Sequence, residues 1–373
     1  MFENYKTPDE LIPSDPRFGC GPSLIPVEFL EKLAQTGNTL LGTSHRKPGI
    51  KNLVKEVQEG LTQFFNVPSD YLVVLGNGGA TFFFDMIALG LVDKKAAHFT
   101  CGEFSSKWYK SSAAVPWIEA QEIKSEFGDG VRAENVADAD MVAVTLNETS
   151  TGVQLDSLPE VDADTLLCVD ATSGAGQLKC DVSKTDVFFF SPQKVFASEG
   201  GLFVAIMSPK ALKRAEEIEA RSDRYIPGIM SFKSAVTNSE KNQTYNTPSV
   251  STLFFLNEQI KLMNDFGGLD DACLYAEQKA KLLYGWAEEK PYLSCYVEED
   301  KYRSRAVATI NVDDKYQASE VIKAFTKEGS VNGIDAYRKL GKNQFRISMF
   351  HNVKLDDLEK LTKMISMAIE SAQ

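Results

Sequence analysis

Two side chains that could do covalent and acid–base chemistry follow stretches of the kind that form buried β-strands. Residues 187–190 are a fully apolar run, a Ser-Pro pair ends it, and Lys194 stands just beyond. Asp170 follows the apolar run 166–169 in the same way, 24 residues before the lysine. An amine and an acid at strand ends suit a pyridoxal phosphate site, because the lysine forms the Schiff base and the acid keeps the pyridine nitrogen protonated.

The same two positions also have an interpretation without chemistry. A lysine after a strand is usually a solvated loop charge, and an aspartate there usually forms a turn or caps a helix. The chain has 40 Lys plus Arg, so one more basic residue in a loop is not in itself notable. Position alone leaves both interpretations open, and the rest of the chain has to decide between them.

Length and composition restrict the classes of protein to consider. With 373 residues the chain can bury a large core and is expected to form two domains. Hydrophobic residues make up 43% and charged residues 25%, as in ordinary soluble globular proteins. The net charge of −12 argues against nonspecific nucleic-acid binding, which needs a basic surface. An anionic substrate would therefore need a local cluster of Arg and His.

The cysteines and histidines give little support for a metal site or a Ser-His-Asp hydrolase. The six cysteines show no C-x-x-C spacing, and the chain has only three histidines. We interpret the cysteines as reduced thiols and expect no metal. The first six residues do not resemble a secretory signal, and no apolar run reaches the roughly 20 residues of a membrane helix. These features predict a cytoplasmic protein without membrane contacts.

From about residue 70, short apolar strands alternate with helices, which predicts an α/β domain with a mainly parallel sheet between helices. Polar residues follow at least five of the strands, where such sheets bind ligands. The expected strands are 71–75, 96–100, 141–145, 166–169, 187–190 and 202–207, and the expected helices are 26–34, 50–65, 82–89, 105–112, 210–220 and 250–266, with another to about 289. The segment 221–248 is expected to be irregular.

The C-terminal part has a different pattern, with strands at 305–312 and 344–350 and helices at 316–328 and 355–371. This alternation predicts a small α+β domain. We therefore expect an N-terminal arm over residues 1–20, a large domain over 21–260 and a small domain over 261–373.

A glycine-rich segment, Gly-Asn-Gly-Gly-Ala-Thr at 76–81, lies between the first predicted strand of the sheet and a helix. Free backbone N–H groups and a hydroxyl at a helix start can hold an anion, helped by the helix dipole. The segment lacks the Gly-Lys-Ser/Thr ending of a P-loop and the glycine spacing of a dinucleotide site. It is therefore a candidate phosphate site, and NAD is not expected.

Taken in order, seven segments resemble the fold-type I pyridoxal phosphate aminotransferases and, among these, the bacterial phosphoserine aminotransferase family. They are Phe18-Gly-Cys-Gly-Pro22, Ser44-His-Arg46, Asn147-Glu-Thr149, Val169-Asp170, Ser191-Pro-Gln-Lys194, Tyr245-Asn-Thr-Pro248 and Phe345-Arg-Ile-Ser348. The resemblance covers essentially the whole chain. It implies the class V aminotransferase fold, with a large cofactor-binding domain and a small C-terminal domain.

Position by position, the resemblance implies that Lys194 forms the Schiff base and that Asp170 pairs with the pyridinium nitrogen. Phe104 would stack on the ring, where the family commonly has a tryptophan, and Thr149 would bond to the phenolic oxygen. The residues implied around the cofactor phosphate are Gly79, Ala80, Thr81, Thr172 and Gln193, with Asn246 and Thr247 from the other subunit. An obligate homodimer with two shared sites follows from this.

For the substrate, the resemblance implies that Arg346 grips the α-carboxylate with two parallel hydrogen bonds. A substrate phosphate of nearly two negative charges needs further cations. His45 and Arg46, from the partner subunit, and Arg338 are the candidates, and they would also hold the side-chain carboxylate of glutamate. The family's usual His-Arg pair is Tyr337-Arg338 in this chain.

The implied reaction is reversible ping-pong transamination in serine biosynthesis. L-Glutamate and 3-phosphohydroxypyruvate would give 2-oxoglutarate and O-phospho-L-serine. The sequence leaves open whether 4-phosphohydroxythreonine, a phosphorylated analogue in vitamin B6 biosynthesis, is also a substrate.

Three other interpretations are weighed against this one. A serine–glyoxylate or related small amino acid aminotransferase would need Arg346 but not the phosphate-binding cations. A desulfurase would need a mobile catalytic cysteine, and none of the six stands in a recognisable motif. A catalytically silent member of the fold, acting as a scaffold, is disfavoured because Lys194 and Asp170 are both present.

Overall fold

A seven-stranded sheet forms the centre of the larger part of the chain in the computed structural model, which describes residues 5–372. Its strands are β1 (Leu72–Gly78), β2 (Lys95–Thr100), β3 (Glu119–Lys124), β4 (Met141–Thr145), β7 (Leu166–Asp170), β8 (Val187–Phe190) and β9 (Gly201–Met207), with a separate short ribbon of β5 (Asn147–Glu148) and β6 (Val153–Gln154).

The spatial order of the strands is β1-β9-β8-β7-β4-β2-β3. β9 runs antiparallel to both of its neighbours, and every other adjacent pair in the sheet is parallel. All residues of β4, β7 and β8 are buried, as expected for strands covered on both faces. The predicted mainly parallel sheet is thus confirmed.

Helices cover the sheet and continue into the C-terminal part. They are α1 (Val27–Gln35), α2 (Pro48–Phe65), α3 (Ala80–Gly90), α4 (Glu103–Ala113), α5 (Pro209–Glu219), α6 (Phe232–Ser239), α7 (Val250–Asp265), α8 (Gly268–Glu289), α9 (Ala318–Glu328) and α10 (Leu355–Glu370). Local signals explain several of the starts. In α5, Pro209 is the first residue and the Ser208 hydroxyl accepts a hydrogen bond from the N–H of Ala211 at 3.1 Å.

The smaller part is built on an antiparallel sheet of β10 (Leu293–Cys295), β11 (Val307–Val312) and β12 (Gln344–Ser348). Its core combines apolar residues of these strands with others from α8, α9 and α10. The predicted small α+β domain is therefore present.

The predicted boundary at residue 260 lies inside α7, which is continuous. Ile260 and Met263 both belong to the core of the large part, whereas Ala280 belongs to the core of the small part. We infer that the division falls within α8.

The arm, whose residues 1–4 lie outside the described part, packs on the small domain. Phe18 is buried in the core of that domain, and its N–H donates to the carbonyl of Asn332 at 3.0 Å. The carbonyl of Phe18 accepts from the N–H of Ser348 at 3.0 Å. The arm is thus held beside β12.

Several predictions of local structure were wrong. β3 was missed because it is polar, and it is polar because it is an edge strand paired only with β2. α6 lies in the segment expected to be irregular, and its start is fixed by the Ser231 hydroxyl, which accepts from the N–H of Ser234 at 3.0 Å. β1 extends through Gly76 and Gly78, which were expected in a loop.

Within residues 5–372, no helix has both the length and the apolar character needed to cross a bilayer. The same residues contain no group of three or more His, Cys, Asp or Glu arranged to hold a metal ion.

Candidate active site

A cavity of about 280 Å³ lies at the ends of the strands β1, β7 and β8. Nine of the eleven residues predicted to contact the cofactor line it, which leaves out Asn246 and Thr247. The full lining is Gly79, Ala80, Thr81, Phe82, Phe84, Phe104, Asn147, Thr149, Asp170, Thr172, Ser173, Ser191, Gln193, Lys194, Gly200 and Gly201. Residues from position 79 to position 201 of the chain therefore meet in one place.

The lysine in this cavity is oriented by the N-terminal arm. Lys194 Nζ donates a hydrogen bond to the backbone carbonyl of Cys20 at 2.5 Å. Gly21 has φ +120°, and a Cβ at that residue would lie only 2.3 Å from Lys194 Nζ. The N–H of Ser23 also donates to the carbonyl of Gln193 at 2.9 Å. An arm was expected here from the sequence, and its contact with the lysine was not predicted.

Burial lowers the pKa of Lys194 from its usual value of 10.5 to about 8, and nearby Arg346 acts in the same direction. The negative charges of Asp170 and Glu148 oppose this shift. A lysine of this kind has a larger neutral fraction near neutral pH than a solvated one, and the neutral amine is the nucleophile.

The acid predicted to face the cofactor lies on the neighbouring strand. β7 and β8 are adjacent and parallel, with Asp170 paired to Phe189, so Asp170 and Lys194 approach the same cavity. Asp170 Oδ1 accepts from the Thr172 N–H at 2.9 Å and from its hydroxyl at 2.6 Å. Burial raises the pKa of Asp170 to about 6, against the lowering effect of these hydrogen bonds. A cationic group beside this carboxylate would favour its ionised form.

The start of α3 is open to the cavity. Its N-cap residue is Gly79, no side chain caps its first turn, and Ala80 and Thr81 line the cavity. The first N–H groups of a helix have no partner within the helix, and the dipole places partial positive charge there. The arrangement suits an anion, as the glycine-rich segment predicted.

The start of α4, in contrast, is closed by a protein carboxylate. Glu148 accepts hydrogen bonds from the backbone N–H groups of Phe104 at 3.1 Å and Ser105 at 2.9 Å. The ring of Phe104 faces the cavity, with its centroid 5.8 Å from Lys194 Nζ. No role was predicted for Glu148, although it is the central residue of the segment Asn147-Glu-Thr149.

The cavity also contains a cluster of polar side chains, Asn147, Thr149 and Ser173, of which only Thr149 was predicted. The hydroxyl of Thr149 donates to Ser173 Oγ at 2.8 Å, and Asn147 Nδ2 donates to the same oxygen at 2.8 Å. Asn147 Oδ1 is buried without a hydrogen-bond partner among the described residues. Thr149 was predicted to contact the cofactor, whereas Ser173, which follows the neighbouring strand β7, was not predicted.

Arg346, the predicted carboxylate clamp, lies on β12 and reaches back to the large domain. Its Nη1 donates to the carbonyl of Thr149 at 3.3 Å, and its guanidinium carbon lies 5.3 Å from the ring centroid of Tyr337. Its Nε is buried without a partner among residues 5–372, so the guanidinium has capacity for an anionic ligand. Tyr337 in turn packs edge-to-face on Phe104, with ring centroids 5.9 Å apart.

The other predicted substrate cations, His45, Arg46 and Arg338, do not line the cavity. Arg338 is exposed, next to Tyr337. His45 Nδ1 lies 3.1 Å from the hydroxyl of Thr247, and Arg46 Nη1 donates to Gln243 Oε1 at 2.8 Å.

The segment that holds Asn246 and Thr247 is attached to the end of β1. Asn77 Nδ2 donates to the backbone carbonyls of Asn246 at 3.4 Å and Thr247 at 2.8 Å. His45 contacts the same segment, because its Nδ1 lies beside the hydroxyl of Thr247. The prediction that His45, Arg46, Asn246 and Thr247 serve a partner's cavity stays a prediction.

Comparisons with known proteins identify the class to which this fold and site belong. The family model for class-V aminotransferases matches residues 18–361. The chain is therefore a member of the class-V aminotransferases.

Individual relatives show to which family within this class the chain is similar. The chain is 45% identical over 365 residues to the phosphoserine aminotransferase of Corynebacterium glutamicum, covering 97% of this chain and 96% of the relative. It is 44% identical to that of Nocardioides sp., covering 99% and 100%. The crystal structure of a phosphoserine aminotransferase from Cytophaga hutchinsonii superposes with a TM-score of 0.88 at 26% identity, covering 95% and 98%.

The chain belongs, within that class, to the phosphoserine aminotransferase family. The resemblance found in the sequence and the predicted fold type are both confirmed.

Proposed function

We propose that the chain catalyses the reversible transamination between L-glutamate and 3-phosphohydroxypyruvate that gives 2-oxoglutarate and O-phospho-L-serine. The observation that carries this proposal is the meeting of Lys194 and Asp170 in one cavity that also receives the open start of α3. Arg346 stands at the border of the same cavity, next to Thr149. The reaction is the one named for the relatives that the chain resembles over nearly its full length.

The residues of the cavity fit pyridoxal phosphate. The uncapped N-terminus of α3 suits its phosphate, and the ring of Phe104 offers a flat apolar surface. The amide oxygens of Asn147 and Gln193 are buried without partners among the described residues, and a polar ligand would complete such groups. A phosphoserine aminotransferase from Trichomonas vaginalis with the same fold has been solved with this cofactor bound.

When bound, the cofactor supplies an electron-withdrawing ring that weakens the bonds at the α-carbon of an attached amino acid. Lys194 Nζ then acts as the base that takes the proton from the α-carbon. The Cys20 carbonyl holds Nζ in place through its hydrogen bond. Asp170 would hold a positive charge on the ring nitrogen of the bound cofactor. The pKa of Asp170, which burial raises to about 6, would then fall because the two charges attract.

Substrate binding follows from the same arrangement. Arg346 would bind the α-carboxylate with its guanidinium, whose Nε has no partner among residues 5–372. The substrate phosphate needs further cations, and Arg338 of this chain with His45 and Arg46 of a partner would supply them.

A homodimer with shared sites is part of this proposal. In its support, His45, Arg46 and Thr247 form a cluster at the chain's surface that does not line the chain's own cavity. We also propose a cytoplasmic location, which is supported by six cysteines that are all free.

The experiment that tests the reaction is a spectral titration of the cofactor-loaded protein with L-phosphoserine and with L-serine. Phosphoserine should convert the cofactor band to that of its aminated form at concentrations where serine does not. Equal conversion by both amino acids would contradict the proposal and favour a small amino acid aminotransferase. Arg46→Ala sharpens the test, because it should abolish turnover of phosphoserine while sparing any turnover of serine.

A further inference from the structure

Glu148 is a buried carboxylate without a cationic partner. Its side chain has no exposed surface, and no lysine or arginine among the described residues forms an ion pair with it, because its hydrogen bonds come from Phe104, Ser105 and Ser150. An isolated ionised carboxylate is very costly to bury, so hydrogen-bond donors have to replace water around it. Glu148 therefore depends on the groups that surround it.

Three of the five donors belong to the start of α4, and the other two belong to Ser150. Oε2 accepts from the N–H groups of Phe104 and Ser105 and from the Ser105 hydroxyl, at 3.1, 2.9 and 2.9 Å. Oε1 accepts from the N–H of Ser150 at 3.2 Å and from its hydroxyl at 2.6 Å. A negative charge at this end of the helix is further stabilised by the helix dipole.

The contact is tight and leaves little room for adjustment. A Cβ on Gly102, the N-cap residue of α4, would lie 2.3 Å from Glu148 Cγ. Ser150 Oγ also accepts from the N–H of Glu103 at 3.0 Å, which extends the same set of contacts by one residue. The backbone of Phe104 is thus held by Glu148, while Phe104 lines the cavity.

The residues on either side of Glu148 both line the cavity. They are Asn147 and Thr149, and the Thr149 carbonyl accepts a hydrogen bond from Arg346 at 3.3 Å. One carboxylate consequently joins the helix that carries the aromatic ring to the segment that carries the polar cluster.

We propose that Glu148 is a positioning residue, whose carboxylate closes the N-terminus of α4 and thereby fixes the ring of Phe104 against the cofactor. The inference rests on the proposed function, since it assumes that the cavity holds pyridoxal phosphate. It assigns Glu148 no direct contact with the cofactor or the substrate.

The test compares Glu148→Gln with Glu122→Gln, a matched control. Glu122 Oε1 accepts from the Thr100 hydroxyl at 2.9 Å and from the hydroxyl of Ser106 in α4 at 3.5 Å, and it makes no contact with the backbone of Phe104. In Glu148→Gln one carboxylate oxygen is replaced by an NH₂ group, which cannot accept the hydrogen bonds that this oxygen accepted. We expect about tenfold weaker binding of pyridoxal phosphate and a weaker visible circular dichroism band of the bound cofactor. Glu122→Gln should leave both unchanged.

A double-mutant cycle separates positioning from a general loss of stability. If Glu148 acts through the ring, Glu148→Gln should weaken cofactor binding little further in a Phe104→Ala background. Fold-changes that multiply in the double variant would overturn the proposal. So would a lower unfolding temperature of Glu148→Gln with unchanged cofactor affinity and circular dichroism.

If Glu148→Gln does not fold, Ser105→Ala replaces it in the cycle, because it keeps the carboxylate and removes one of its donors, together with the acceptor of the Cys101 N–H at 3.1 Å. The same cycle applies, and a Ser105→Ala effect that multiplies with that of Phe104→Ala would count against the proposal. The wild-type protein separates the two levels of inference. If it binds no pyridoxal phosphate, the proposed function fails, whereas normal binding by both wild type and Glu148→Gln overturns only the role of Glu148.

Discussion

The starts of α3 and α4 are alike in local geometry and opposite in use. Each helix begins after a glycine in extended conformation, with φ of 179° at Gly79 and 177° at Gly102, and neither glycine caps its helix with a side chain. α4 receives the carboxylate of Glu148, whereas α3 opens into the cavity. Whether a helix start binds an external anion is therefore decided by its tertiary surroundings and not by the helix itself.

The two glycines differ for the same reason. A Cβ at Gly102 would collide with Glu148, so this glycine permits a close contact inside the protein. A Cβ at Gly79 would meet only Ser191 Oγ, at 3.5 Å, which is ordinary van der Waals contact. A larger side chain would therefore fit at position 79, and only the ligand that we propose to bind at the start of α3 would restrict the residue there.

The strongest way to break this contrast is to close α3 with a protein carboxylate. Gly79→Asp places an N-cap acid where the cofactor phosphate would bind, so charge repulsion and loss of the anion site should weaken pyridoxal phosphate binding by about 100-fold or more. Fluorescence titration of the apo-protein measures this. Gly79→Ala is the control, because its Cβ fits. Equal affinity of the Asp and Ala variants would show that the phosphate does not bind at α3.

A second prediction concerns the amine that meets the cofactor beside the open helix start. Because burial lowers the pKa of Lys194 to about 8, the reactive neutral amine should fall about tenfold for each pH unit below that value. The rate at which the apo-protein captures pyridoxal phosphate should therefore rise with pH and level off above about 8. Stopped-flow absorbance measures the rate, with Nα-acetyl-lysine in the same buffers as the reference. A midpoint near 10.5, the usual value for lysine, would contradict the buried position.

A smaller effect is expected from removing a single hydroxyl at each of the two helix starts. Thr81→Ala removes a hydroxyl from the open start of α3, and we expect about fivefold to tenfold weaker cofactor binding from the loss of one hydrogen bond to a charged group. Ser105→Ala removes a hydroxyl that bonds to Glu148 at the closed start of α4 and should weaken binding less. The two dissociation constants, measured side by side, decide this. If Ser105→Ala weakened cofactor binding more than Thr81→Ala, the assignment of α3 as the helix start that binds the cofactor phosphate would be contradicted.

Much of this site could be predicted because its residues follow buried strands. The apolar runs before Asp170 and Lys194 predicted two neighbouring strand ends, and the glycine-rich segment before Thr81 predicted an open helix start. In both cases a local sequence pattern fixes where the strand ends or the helix begins. The parallel sheet then brings these ends together at one edge.

The parts that were missed depend on contacts between distant residues. Glu148 and Phe104 are 44 residues apart, and Cys20 and Lys194 are 174 apart. No local pattern shows that a carboxylate will cap a particular helix or that a backbone carbonyl will orient a particular lysine. The polar edge strand β3 was missed for a related reason, because its partner and not its composition makes it a strand.

The most direct test of the account is to identify the residue that holds the cofactor. The protein is loaded with pyridoxal phosphate, reduced with borohydride, digested and mapped by mass spectrometry. We predict one reduced adduct per chain, on Lys194, and none in Lys194→Ala. An adduct on another lysine, or scattered adducts in amounts well below one per chain, would contradict the assignment of the cavity as the site of transamination.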